Sequence, residues 1–209
     1  MTNFYKLGLL LLVAGPAAAQ APTAPAAPAA PRPLPTSFRG GSYQLRHGDW
    51  QRGKLLYDAQ NLSVSDADHK PQYPLVYPAD SVRAFVVGRD TFATVRELDV
   101  PRPAQHLRSA FVRQLYRRGG FQVGEYVAYL AAPSPAIAYT VLTRPGELPT
   151  VLPANNTLFR VALAKTLRDY QALSQQLELD PKIIPDQLPD LLTAYGRWKS
   201  ANPTRTAAK

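Results

Sequence analysis

The sequence predicts an α+β domain: a mostly antiparallel sheet with two C-terminal helices packed on one face, and a short helix near 109–118. Three observations predict it. In the first half, short runs alternate apolar and polar residues, the period of strands with one covered face. Turn formers such as Gly48-Asp49, Pro78-Ala79-Asp80 and Gly88-Arg89-Asp90 punctuate these runs at short intervals. From Asn156 onward the apolar residues recur with a helical period. Strands first and helices last place the helices together on one side of the sheet.

The chain opens MTNFYKLGLLLLVAGPAAAQ. Lys6, a short apolar run and the small residues before Gln20 form the pattern of a secretory signal peptide, expected over residues 1–19. The apolar run is too short for a membrane span, which needs about 20 residues. An Ala/Pro tract follows. It cannot build a core and is expected to form a disordered arm over residues 20–36.

Residues 37–200 are read as a single domain. SYQLRH and KLLYD flank Gly48-Asp49 as the two sides of a hairpin. Tyr43, Leu45, Leu55 and Tyr57 share one face only if the loop has an odd length or a bulge is added, which predicts Tyr43 opposite Leu55 and Leu45 opposite Gly53. YPLVYP and residues 83–87 are strands around a Pro-Ala-Asp break, and DTFATVREL continues the alternation. Phe111, Val112, Leu115 and Tyr116 fall on one helical face, with Ser109 as N-cap and Gly119 as stop. FQVGEYVAYL and AIAYTVLT return to strand composition, and Arg144-Pro145-Gly146-Glu147 reads as a type II turn into LPTVL. The first C-terminal helix is expected over NNTLFRVALAKTLRDYQALSQQLEL with Asn156 as N-cap. The second is expected over DQLPDLLTAYGRWKS, capped by Asp186. Residues 201–209 read as a disordered tail.

The 209 residues contain no cysteine, which excludes a disulfide framework, a thiolate zinc site and a cysteine nucleophile. Roughly 165 residues remain after leader and tail, enough for one core without such staples. The formal net charge is +9. Export turns that surplus away from nucleic acid and toward lipid phosphates, acidic glycans and acidic proteins. The simpler reading is a solvated surface. No cofactor and no metal are expected, because His47, His69 and His106 lack ligand spacing and no Gly-x-Ser-x-Gly occurs. His47 and Asp49 are read as parts of a hairpin loop and not as a catalytic pair.

Gly48, Asp49, Trp50 and Gly53, then Tyr77, Pro78, Ala79, Asp80, Ser81 and Val82 ahead of Phe85, resemble an uncharacterised family of secreted Bacteroidetes proteins. Phe111, Leu115 and Gly119, and Leu191 or Leu192 with Tyr195, fit the same resemblance, although similar proteins carry Thr where this chain has Trp50. The resemblance implies an exported α+β domain in the periplasm or at the cell surface, and no activity.

The functional candidate is a stretch rich in arginine and free of acids between Asp99 and Glu125. Arg102, His106, Arg108, Arg113, Arg117 and Arg118 are its cations, and guanidinium forks suit phosphate and carboxylate oxygens. Trp50 is a second candidate, as an aromatic anchor for a partner. The expected function is a non-catalytic binding or structural protein of the envelope, with an envelope protein or a polyanion as partner. The alternative is a small periplasmic hydrolase whose carboxylates, among Asp66, Asp68, Asp80 and Asp90, meet only in the fold.

Overall fold

A computed structural model describes residues 34–101, 104–129 and 136–203. The expected leader, the arm up to residue 33, Arg102 and residues 204–209 of the expected tail lie outside the described residues.

One antiparallel sheet dominates. Its strands are β1 (Arg39–Leu45), β2 (Trp50–Tyr57), β3 (Asn61–Ser65), β4 (Leu75–Pro78), β5 (Val82–Val87), β6 (Asp90–Pro101), β7 (Ala104–Arg118), β8 (Phe121–Ala128), β9 (Ile137–Thr143) and β10 (Thr150–Leu152). They lie in the order β10-β9-β8-β7-β6-β5-β1-β2-β3-β4. Helices α1 (Asn156–Thr166), α2 (Gln171–Leu179) and α3 (Leu188–Ala201) follow, so the α+β class holds. None of the described helices is long and apolar enough to cross a membrane.

The helices cover the sheet near β8–β10. Phe159, Leu163, Leu167, Leu177, Leu192 and Tyr195 pack on Phe121, Val123, Leu142 and Leu152. Burying each leucine contributes about 2 kcal/mol. A second cluster, around Tyr43, Leu55, Phe85, Phe92 and Phe111, holds β1–β7, with Phe85 stacked on Phe92 at 4.7 Å. A third, around Val95, Leu98, Ala110, Val112, Tyr126 and Val141, also takes in Val151 of β10. That cluster is built from β6 to β9, and β10 also lies close against β6, so the sheet curls between β6 and β10.

The expected helix near 109–118 is instead the C-terminal part of strand β7. Ala110, Phe111 and Val112 are all buried because both faces of the strand are covered there. The register then shifts between Gln114 and Tyr116, leaving Leu115 as an exposed bulge residue. A doubly covered strand with a bulge reproduces the spacing of a helical face. Gly119 is correspondingly not a helix stop. It forms a two-residue hairpin loop with Gly120, since Arg118 pairs with Phe121 and both glycines have positive φ, 57° and 82°.

The first hairpin has the expected odd-length loop, residues 45–49, but a different register: Tyr43 opposes Gln51 and Leu55 opposes Arg39. Parity is preserved, so Tyr43 and Leu55 are buried in the same cluster, with Leu45 and Tyr57 packed against it. Tyr43 fixes the pairing by donating its hydroxyl proton to Gln51 Oε1 at 2.6 Å. The expected first C-terminal helix is split at residues 167–170 into α1 and α2. Asn155, one residue earlier than expected, caps α1 by accepting from the Thr157 and Leu158 amides. Asp186 lies in a short 3₁₀ turn, and α3 begins after Gln187 and runs through Ala201. The Arg144 carbonyl accepts from the Glu147 amide at 3.1 Å, and Gly146 has φ 79°, as a type II turn requires.

Candidate functional site

The curl of the sheet opens a groove of about 780 Å³. Residues 93–97 of β6 form one wall, Gln114 and the β7–β8 hairpin end form the base, and the β9–β10 turn forms the other wall. Register puts Ala93, Gln114, Gln122 and Thr143 on one face of the sheet, the face away from the helices. The bulge at Leu115 matters here. It swaps the faces of the residues after it, so Tyr116 packs against the helical core while Arg117 reaches Gln122 in the groove.

Four arginines line this groove: Arg96, Arg117, Arg118 and Arg144. Two carboxylates do so as well, and each is engaged by a basic side chain. Glu97 contacts His106 Nε2 at 2.9 Å, and Glu147 pairs with Arg144. Arg117 donates to the neutral amide of Gln122, and Arg96 and Arg118 have no ion-pair partner among the described residues. Three arginines of the lining therefore have no compensating carboxylate among the described residues. Pro145, Leu148 and Pro149 add apolar surface, with Leu148 74% exposed at the rim.

Arg144 is fixed from behind. It donates through Nη1 to the Tyr195 hydroxyl at 2.7 Å, and that hydroxyl donates to Asp169 Oδ2 at 2.7 Å. Its guanidinium lies 4.8 Å above the Phe121 ring. Burial opposes its charge, but Glu147 and Tyr195 outweigh burial and hold its pKa above the ordinary value. Burial and the bond to Asp169 push the Tyr195 hydroxyl up to about 12.

The arginine-rich stretch is thus divided among separate places. Arg117 and Arg118 belong to the groove. Arg108 is exposed on β7, and His106 sits between Asp99 and Glu97 on the β6–β7 arm. Arg102 lies outside the described residues. Arg113 is on the opposite face from Gln114, only 15% exposed, and bridges Asp90 at 3.3 Å and Glu125 at 2.9 Å. It is a structural anchor. Arg113→Gln is expected to lower the unfolding free energy by about 2 kcal/mol, because it removes the cation shared by the half-buried Asp90 and Glu125. Arg118→Gln should shift it by no more than about 0.5 kcal/mol. Urea unfolding of the two variants checks this, and equal shifts would remove the distinction.

Trp50 starts β2 and is 50% exposed, with no ring contact to another aromatic among the described residues. Three of the carboxylates considered for a hydrolase have partners. Asp66 accepts from His69 Nδ1 and from the His69 and Asp68 amides, which lowers its pKa, Asp80 accepts from Ser81, and Asp90 holds Arg113, while Asp68 is exposed. His47 and Asp49 are exposed in the first hairpin loop. Among the described residues no cluster of His, Asp and Glu has the arrangement of a metal site.

Sequence reasoning missed Arg96 and Arg144. Neither stands in a run of basic residues, and only the curl of the sheet brings them to Arg117 and Arg118. The type II turn at 144–147 was legible, but its side chain's destination was not. Comparison of the chain with protein-family models, with curated proteins and with solved structures gave no match.

Proposed function

We propose that this chain is an exported, non-catalytic binding domain of the cell envelope, which takes an anionic ligand in the arginine groove. Export rests on the leader-like N-terminus. The ligand class rests on one observation: Arg96, Arg117 and Arg118 line a groove whose two carboxylates are already committed to His106 and Arg144. An arginine cluster left without acids inside a concavity favours phosphate, sulfate or carboxylate groups, which accept paired N–H donors. The volume suits a compact ligand or one segment of a longer polyanion. The apolar rim at Leu148 favours an anion that also carries apolar surface.

The test compares two triple variants of equal charge. Replacing Arg96, Arg117 and Arg118 by Gln should weaken binding to dextran sulfate by about tenfold or more. Replacing Arg39, Arg52 and Arg83, which are exposed elsewhere, should weaken it far less. Binding by the parent chain should fall as salt rises. Equal losses from the two triples would reduce the effect to total charge and end the reading.

A further inference from the structure

We propose that His106 makes anion capture by the groove proton-dependent: as an imidazolium it holds Glu97, and on losing its proton it frees that carboxylate at the groove wall. The inference rests on the groove reading above and adds its regulation. Glu97 is a groove-lining residue, yet its carboxylate is turned to His106. The ring contacts two carboxylates at once, Asp99 through Nδ1 at 2.8 Å and Glu97 through Nε2 at 2.9 Å. Both nitrogens donate only in the imidazolium. A neutral ring keeps one N–H and aims a lone pair at the other carboxylate.

Glu97 is the carboxylate that leaves. Asp99 stands directly opposite His106 in the strand register, whereas Glu97 reaches it diagonally. Glu97 also has φ 52°, a backbone conformation that residues other than glycine rarely adopt. Once freed, it bears a full negative charge beside Arg96. On the facing strand, Arg108 falls between Leu107 and Ser109, the partners of Leu98 and Arg96. Among the described residues, the charged groups near His106 are Glu97 and Asp99 from β6, Arg96 beyond them, and Arg108 on its own strand. Deprotonation removes one positive charge from this set and leaves an internal carboxylate to compete with the ligand. The bond to Asp99 does most to raise the His106 pKa above its ordinary 6.5; burial, next in size, pulls the other way, and the charges of Asp99 and Glu97 and the bond to Glu97 add to the rise. Capture is therefore complete below that ordinary value and is lost as pH rises through the raised one.

The experiment measures binding of dextran sulfate, whose sulfate esters do not titrate, to the full chain between about pH 5.5 and about pH 9. The parent chain should lose affinity by about fivefold or more across this range. Glu97→Gln should bind tightly throughout, and His106→Gln weakly throughout, both without the pH slope. NMR titration of the His106 ring should show its midpoint falling in Glu97→Gln. Binding without a pH slope in the parent chain overturns the switch and leaves the groove. A slope that persists in His106→Gln also overturns it, and assigns the slope to His47 or His69. No binding at any pH overturns the groove reading and the switch with it.

Discussion

Gly119→Ala is expected to lower the unfolding free energy by about 3–5 kcal/mol, while Gly120→Ala beside it costs about 1 kcal/mol. Both residues have positive φ, so both alanines carry backbone strain. Only Gly119 also lies against α3. A Cβ there would sit 2.2 Å from the Leu192 carbonyl oxygen, whereas a Cβ on Gly120 meets no atom within 4 Å. The helix mirrors this closeness, since a Cβ on Gly196 would lie 2.8 Å from Gly119 Cα. Neither backbone can yield without moving α3, and with it Leu192 and Tyr195, off the sheet. Urea unfolding of both variants reads the difference, and equal small shifts would show that α3 has room to withdraw.

Tyr195→Phe is expected to cost about 2–3 kcal/mol although it removes a single oxygen. That oxygen sits in a fully buried side chain and links Arg144 to Asp169. Asp169 Oδ1 and Arg144 Nε are already buried without a hydrogen-bond partner among the described residues, so the loss falls on groups with no alternative. The pH dependence gives a second readout. The hydroxyl pKa is raised in the folded chain from 10.0 to about 12. A raised value means the folded state retains the proton longer, so this stabilisation is complete below pH 10.0 and is lost as pH rises toward about 12. The parent chain should therefore lose stability over that range by more than Tyr195→Phe does. Parallel declines would mean that the hydroxyl carries no such linkage.

The elements that could be read from the sequence are those governed by near neighbours. The 144–147 turn needs only Pro145 and Gly146, the break between β4 and β5 needs only Pro78 to Asp80, and the face of α3 needs only its own leucines and Tyr195. The hairpin at 45–49 shows where such reading stops. Parity follows from which residues are apolar, but the register depends on β5 as well, because Tyr43 is opposite both Gln51 and Phe85. The helix expected near 109–118 failed because the sequence does not say that β7 is covered on both faces. β3, with Leu62, Val64 and Ser65 buried, escaped notice because it is short and two of its three polar residues are serine. At the candidate site the local pair Arg117 and Arg118 was legible. Arg113 looked identical to them and is tied to Asp90 and Glu125, which lie far from it in sequence.

The strand order carries a consequence for how the chain finds its fold. Every neighbouring pair in the sheet is consecutive in sequence except β5 and β1. The sheet is therefore two meanders, β1–β4 and β5–β10, joined along one seam. Each meander grows by hairpin closures with little loop entropy to overcome. Joining them requires β1 to wait for β5, with all of β2, β3 and β4 looped out between. The seam is also tight at Gly41, where a Cβ would lie 2.4 Å from the Val86 carbonyl oxygen. The search that limits folding is thus concentrated in a single closure, and the two meanders are the natural units of partial unfolding.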